Sequence, residues 1–140
     1  MGNQSQELTF IFDSSAIIAL LWGEEGANIV ESLITNPQNT CIVHAINLCE
    51  VYYDIIRRSD ESNAQSIITK LASVITIRED MNSEFWQLAG NYKANLRRIS
   101  IADCFCMAIS QKLGGTIVTS DHHEFDAIAK QGIVTAKFIR

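Results

Sequence analysis

Four acidic residues stand at the ends of apolar strands or on helices: Asp13 after LTFIF, Glu50 within HAINLCEVYYDIIRR, Asp103 in SIAD and Asp121 after TIVTS. Carboxylates brought to one place repel one another and resist ionisation unless a cation neutralises them. Hard oxygen ligands at that density suit Mg²⁺ or Mn²⁺, with waters and substrate phosphate completing the shell. Such a centre lowers the pKa of water and stabilises charge on a phosphodiester during in-line displacement.

Each acid also has an ordinary structural use. Asp13 and Asp121 fit helix N-caps, which accept hydrogen bonds from first-turn amides. Ser100 and Asp103 have the spacing of a capping box. Glu50 shares a helix face with Asn47, Asp54 and Arg57, where a solvated stripe with an Asp54–Arg58 pair would be unremarked. The case for chemistry therefore rests on the four together.

The stretch TSDHHEFD offers Asp121, His122, His123, Glu124 and Asp126 as candidate ligands within eight residues. On a helix starting near Asp121, His122 and His123 diverge by about 100°, and no His pair has the i, i+4 spacing of a zinc site. His122, His123 and Glu124 read as exposed first-turn residues, Phe125 as a core anchor and Asp126 as a surface acid. On this reading only Asp121 joins the distant acids.

The elements that must position these acids alternate between short strands and helices. LTFIF reads as a buried strand, 14–22 as a helix stopped near Gly23, 25–34 as a second helix and 40–43 as a strand. Helices are expected over 45–58 and 62–72, then a strand at VITI (74–77). Helices over 82–96 and 100–113, the latter ended by Gly114-Gly115, precede a strand at 116–119. A helix over 121–130 and a short strand at 137–139 complete the series. Such alternation means an α/β fold with a mostly parallel sheet, in which ligands bind outside the carboxyl ends of the strands.

The chain has 140 residues, 47% of them hydrophobic and 19% charged. That is the size and composition of one globular domain, with residues 1–7 expected as a flexible tail. The apolar run from Ala16 to Trp22 is too short to span a bilayer, and no signal peptide is evident, so a cytoplasmic location is expected. Cys41, Cys49, Cys104 and Cys106 form no C-x-x-C pair and read as free thiols. A net charge of -5 argues at first against a nucleic-acid partner.

The segments FIFDSSAIIALL, HAINLCEVYYDIIRR, ISIADCFCMAISQKLGGTIVTSDHHEF and GIVTAKFIR resemble, in order and spacing, the PIN domain, and most nearly the VapC-like toxins of type II toxin–antitoxin pairs. The resemblance runs from about Thr9 to the end of the chain. It implies a three-layer α/β/α fold with a short-stranded, mostly parallel central sheet flanked by helices. It also implies an endoribonuclease dependent on Mg²⁺ or Mn²⁺ that acts on single-stranded or loop RNA.

The family's acidic quartet falls on Asp13, Glu50, Asp103 and Asp121, with Asp13 and Asp103 as central ligands. Ser14 and Thr119 would orient carboxylates or waters. A homodimer and a cognate VapB-like antitoxin are implied as well; for His122 or His123, an RNA contact at the site rim is the alternative to the exposed first-turn reading. Setting the four site acids aside leaves 12 acids against 11 Lys and Arg, which weakens the charge objection. Arg57, Arg58, Arg97 and Arg98 are then candidate phosphate contacts.

Two other readings compete. An apolar strand ending in Asp also opens phosphatases of the haloacid dehalogenase type, but those want a second Asp where this chain has Ser15. The other is a non-catalytic PIN-like module that binds RNA or protein.

Overall fold

The computed structural model describes residues 7–140; the expected N-terminal tail, Glu7 apart, lies outside the described residues. Seven helices and five strands alternate among them. In chain order these are β1 (Leu8–Phe12), α1 (Ser14–Trp22), α2 (Ala27–Thr35), β2 (Asn39–His44), α3 (Ala45–Arg58), α4 (Glu61–Ala72), β3 (Thr76–Arg78), α5 (Ser83–Asn95), α6 (Ile101–Leu113), β4 (Thr116–Thr119), α7 (His122–Lys130) and β5 (Ala136–Phe138).

The sheet runs β3-β2-β1-β4-β5, and every pairing is parallel. Alternation along the central strand sends Phe10 and Phe12 to one face and Ile11 to the other. The first face packs on Val30 of α2, Val51 and Ile55 of α3 and Leu71 of α4. The second packs on Phe85 of α5, Met107 and Ile109 of α6 and Phe125 of α7. Helices thus cover both sides of an all-parallel sheet, the three-layer arrangement expected. No described helix is long and apolar enough to cross a membrane.

Several boundaries shift for local reasons. Helix α2 begins two residues later than the pattern suggests, because Gly26 precedes it at φ 96°. A Cβ at Gly26 would meet the Ile139 carbonyl oxygen at 2.6 Å, so the left-handed backbone and the close approach both demand glycine there. The expected strand at VITI is replaced by β3 further along. The amides of Val74 and Ile75 bond back to the Leu71 carbonyl, which keeps them in the closing turn of α4.

The order of strands fixes where a site can form. β2 and β4 lie on opposite sides of β1, and the crevice beyond their carboxyl ends is a topological switch point. Phe12 pairs with Val118, and the Asp13 amide extends that ladder to the Val118 carbonyl at 3.2 Å. Asp13 and Thr119 therefore leave the sheet side by side. The two helical layers also meet past this edge, where Asn47 Nδ2 on α3 donates to the Ala102 carbonyl on α6 at 3.1 Å.

Candidate functional site

Asp13 is 2% exposed and caps α1, its Oδ1 accepting the Ala16 amide at 2.9 Å and the Ser15 hydroxyl at 2.7 Å. Its Oδ2 accepts the Thr119 hydroxyl at 2.5 Å. A carboxylate has about four acceptor positions, and three are used here. What remains is room for one further ligand on Oδ2. Burial pushes the Asp13 pKa up to about 6, against the pull of Thr119, Ala16 and Ser15, and neighbouring Asp121 adds to the rise. One side chain thus serves as helix cap and remains a candidate site acid.

Thr119 is fully buried, and its Oγ1 also accepts the Asp121 amide at 2.9 Å. One hydroxyl thereby ties the backbone of the fourth acid to the carboxylate of the first. Asp121 caps α7 through Oδ1, which accepts the Glu124 amide at 3.0 Å. Ser14, at the start of α1, donates to Glu50 Oε1 at 3.0 Å and so fixes the glutamate of α3.

Asp103 is 7% exposed near the start of α6. The expected capping box forms only by half. Ser100 Oγ accepts the Asp103 amide at 3.1 Å, but the Ser100 amide donates to Glu124 Oε1 at 3.2 Å instead of to Asp103. The Asp103 carboxylate is released from capping duty. It points to a group in which one oxygen each from Asp103, Asp121 and Glu124 lie within 4.8 Å of one another.

This corrects the reading of Glu124 as an exposed first-turn residue. It is half-buried, and it folds back to α6 because the Ser100 amide needs an acceptor. Burial raises its pKa, opposed by the two bonds from Ser100 and increased by nearby Glu50. Ser15 was also passed over. It holds Asp13 and receives the Ser120 amide at 3.0 Å, stitching β1 to the turn after β4. The signals were the serine run after an apolar strand and an acid three residues past Asp121.

Glu50 stands outside the close group of three, near enough to raise the pKa of Glu124. Beneath it, Cys106 is fully buried; burial pushes its thiol well up, and Asp13 and Glu50 add to that. All four cysteines are free thiols, with Cys49 exposed and the others buried. His122 and His123 are exposed, and His122 stacks on Phe138 with its Nδ1 at 2.8 Å from Asp126 Oδ1. Phe125 is fully buried, as expected of a core anchor.

The four arginines are not equivalent. Arg58 is committed to Asp54 at 3.3 Å and Glu24 at 3.7 Å, over the Trp22 ring. Arg57 lies over the Tyr53 ring at 4.8 Å. Arg97 and Arg98 are exposed in the turn before Ser100, and neither forms an ion pair among the described residues. Lys93 shapes that turn by donating to the carbonyls of Arg97 at 3.1 Å and Ile99 at 2.6 Å.

Comparison with known proteins agrees with this fold. The chain is similar in fold to VapBC-1 from nontypeable Haemophilus influenzae, with a TM-score of 0.71 and 16% identity over 94% of this chain and 98% of that one. A DNA-bound VapBC from Salmonella typhimurium gives 0.72 at 17% identity over 95% and 99%. VapC20 of Mycobacterium tuberculosis, described as a toxin cleaving the sarcin-ricin loop, gives 0.65 at 18% over 84% and 94%. No curated protein matches by sequence at a significant level. The PIN domain model, however, matches residues 10–131, from the middle of β1 to just past α7. With that span and the fold in agreement, the chain belongs to the PIN domain family.

Proposed function

We propose that this chain is a divalent-cation-dependent endoribonuclease and the toxin member of a type II toxin–antitoxin pair, working in the cytoplasm. The observation that carries the reading is the convergence of Asp103, Asp121 and Glu124 within 4.8 Å, beside a buried Asp13 whose pKa is raised to about 6. Negative charge held this closely, with no basic side chain among the described residues bonded to it, calls for a cation. The donors are all carboxylate oxygens, which fits Mg²⁺ or Mn²⁺ and not a softer metal.

Asp13, Asp103 and Asp121 would hold the cation, with Glu124 as an added donor and Glu50 placed to orient water. Ser15, Ala16 and Thr119 keep Asp13 in one rotamer, and Ser14 does the same for Glu50. Groups that orient ligands in this way influence affinity and rate strongly. When bound, the cation would supply Lewis-acid stabilisation of phosphate charge and ease the ionisation of water. The reaction that suits these parts is in-line attack of water on phosphorus with departure of the 3′-oxygen.

A VapB-like antitoxin is supported as partner by the similar structures, which include VapBC complexes, and a homodimer is proposed with it on the family resemblance alone. The decisive test uses the purified chain, freed of any co-purifying protein. Single-stranded RNA should be cut with Mg²⁺ or Mn²⁺ and spared with EDTA. Asp103→Asn should lower the rate by at least about 100-fold. An unchanged rate in that variant would sink the reading in favour of a binding module.

A further inference from the structure

Helix α3 continues beyond Glu50 with a distinctive exposed flank. Glu50, Tyr53 and Arg57 follow at i, i+3 and i+7, which places them within an arc of about 60° on one side of the helix. Tyr53 is 43% exposed, and the Arg57 guanidinium lies over its ring at 4.8 Å. Beside it, Trp22 at the far end of α1 is 37% exposed and donates from Nε1 to Asp54 Oδ2 at 3.1 Å, with Arg58 over its ring at 4.9 Å. Ser14 and Trp22 touch α3 at Glu50 and Asp54, so α1 walls one side of this flank along its length.

Large aromatics are ordinarily covered, and here two stay open beside arginines. Their arrangement matches what binds single-stranded RNA: π-faces for unstacked bases and guanidinium planes that stack and meet phosphate. Arg58 is neutralised by Asp54 and Glu24, whereas Arg57 has no carboxylate partner among the described residues. The flank starts at a candidate site acid and reaches Arg57 about 10 Å further along the helix axis. That is where the strand next to a phosphate held by the acids would pass.

We infer that Tyr53 and Arg57, flanked by Trp22, form a stacking subsite for a base of single-stranded RNA adjacent to the scissile phosphate. The inference rests on the ribonuclease reading and names where the substrate strand lies. Tyr53 offers the ring, Arg57 the positive charge and a second stacking plane, and Trp22 the far wall.

The test measures RNA affinity apart from cleavage. In the full chain carrying Asp103→Asn, the dissociation constants of a dinucleotide and of a longer single-stranded oligoribonucleotide are compared. Tyr53→Ala and Arg57→Ala should each weaken the longer oligomer about tenfold and leave the dinucleotide unchanged, as expected for one lost base stack. Tyr53→Phe should bind like the parent. In a Trp86→Phe background the remaining indole at Trp22 should be quenched by the longer oligomer. Unchanged affinity in both alanine variants overturns the subsite. So does unchanged RNA affinity with loss of binding to a co-purifying protein, which would make the flank a protein-docking face. Failure of the parent chain to cut RNA with Mn²⁺ would count against the nuclease reading and is scored separately.

Discussion

The hydroxyl of Thr119 donates to Asp13 Oδ2 at 2.5 Å while its oxygen accepts the amide of Asp121 at 2.9 Å. This bond restrains Asp13 from an even higher pKa, since burial is the main force raising it. Thr119→Val keeps the shape and removes the donor. The pKa of Asp13 should rise, the acid limb of the cleavage pH profile should move to higher pH, and the rate should fall about 10–100-fold. Thr119→Ser should restore most of the rate, and a valine variant with the parent's pH profile would refute the role.

Asp13→Asn should separate stability from activity. Asp13 binds its proton more tightly in the folded chain than in the unfolded one, with about 6 against the ordinary 3.8. Stability from this group is therefore greatest below the ordinary value and is lost as pH rises through about 6. The gap corresponds to at most ~3 kcal/mol of burial cost at neutral pH. Without cation, the asparagine variant should melt higher than the parent at pH 7.5, and the gain should shrink between pH 6 and 4. Cleavage should be absent.

His44 titrates in the opposite sense. It is fully buried between Phe85 and Phe105, its Nδ1 accepting the Ile46 amide at 3.1 Å and its Nε2 donating to the Asp80 carbonyl at 2.9 Å. Burial lowers its pKa from the ordinary 6.5. Stability is lost as pH falls below that value, because the unfolded chain takes up the proton first. His44→Leu should remove this acid sensitivity while costing ~1–3 kcal/mol at pH 8 through the lost cap and orphaned carbonyl. Denaturant titrations at pH 8 and 5.5 would show both effects.

Glu124 combines a cap with a candidate ligand, and two substitutions separate them. Glu124→Gln keeps an acceptor for the Ser100 amide and should stay within about 0.5 kcal/mol of the parent in stability. It should bind Mn²⁺ about tenfold or more weakly, measured by calorimetry. Glu124→Ala should lose the affinity and a further ~1 kcal/mol of stability. Unaltered Mn²⁺ affinity in the glutamine variant would remove Glu124 from the cation site.

The sequence showed most of the frame because its signals were local. Gly23 and Gly114 stop α1 and α6 at φ 63° and 68°, as their positions suggested. Thr116–Thr119 and Ala45–Arg58 coincide with the elements expected. The Asp54–Arg58 pair also forms at helical spacing. Relationships that depend on which strand lies next to which were hidden. Ser15 looks unremarkable until β4 is placed beside β1, and Glu124 looks solvent-facing until it is seen to accept the Ser100 amide. Likewise, no run of sequence interleaves arginines with both Trp22 and Tyr53; α1 and α3 must pack to create that flank.

The placement of β4 beside β1 has a thermodynamic corollary. Thr119 and Asp121 reach Asp13 only after a crossover spanning most of the chain is complete. An unfolded or half-wound chain scatters its acids and offers a cation nothing better than isolated carboxylates. If the proposed cation binds at this edge, its affinity is linked to folding, and each increment of Mg²⁺ or Mn²⁺ occupancy should slow global opening. The carboxylates whose mutual repulsion works against the fold would become, once charge-compensated, a lock on its topology.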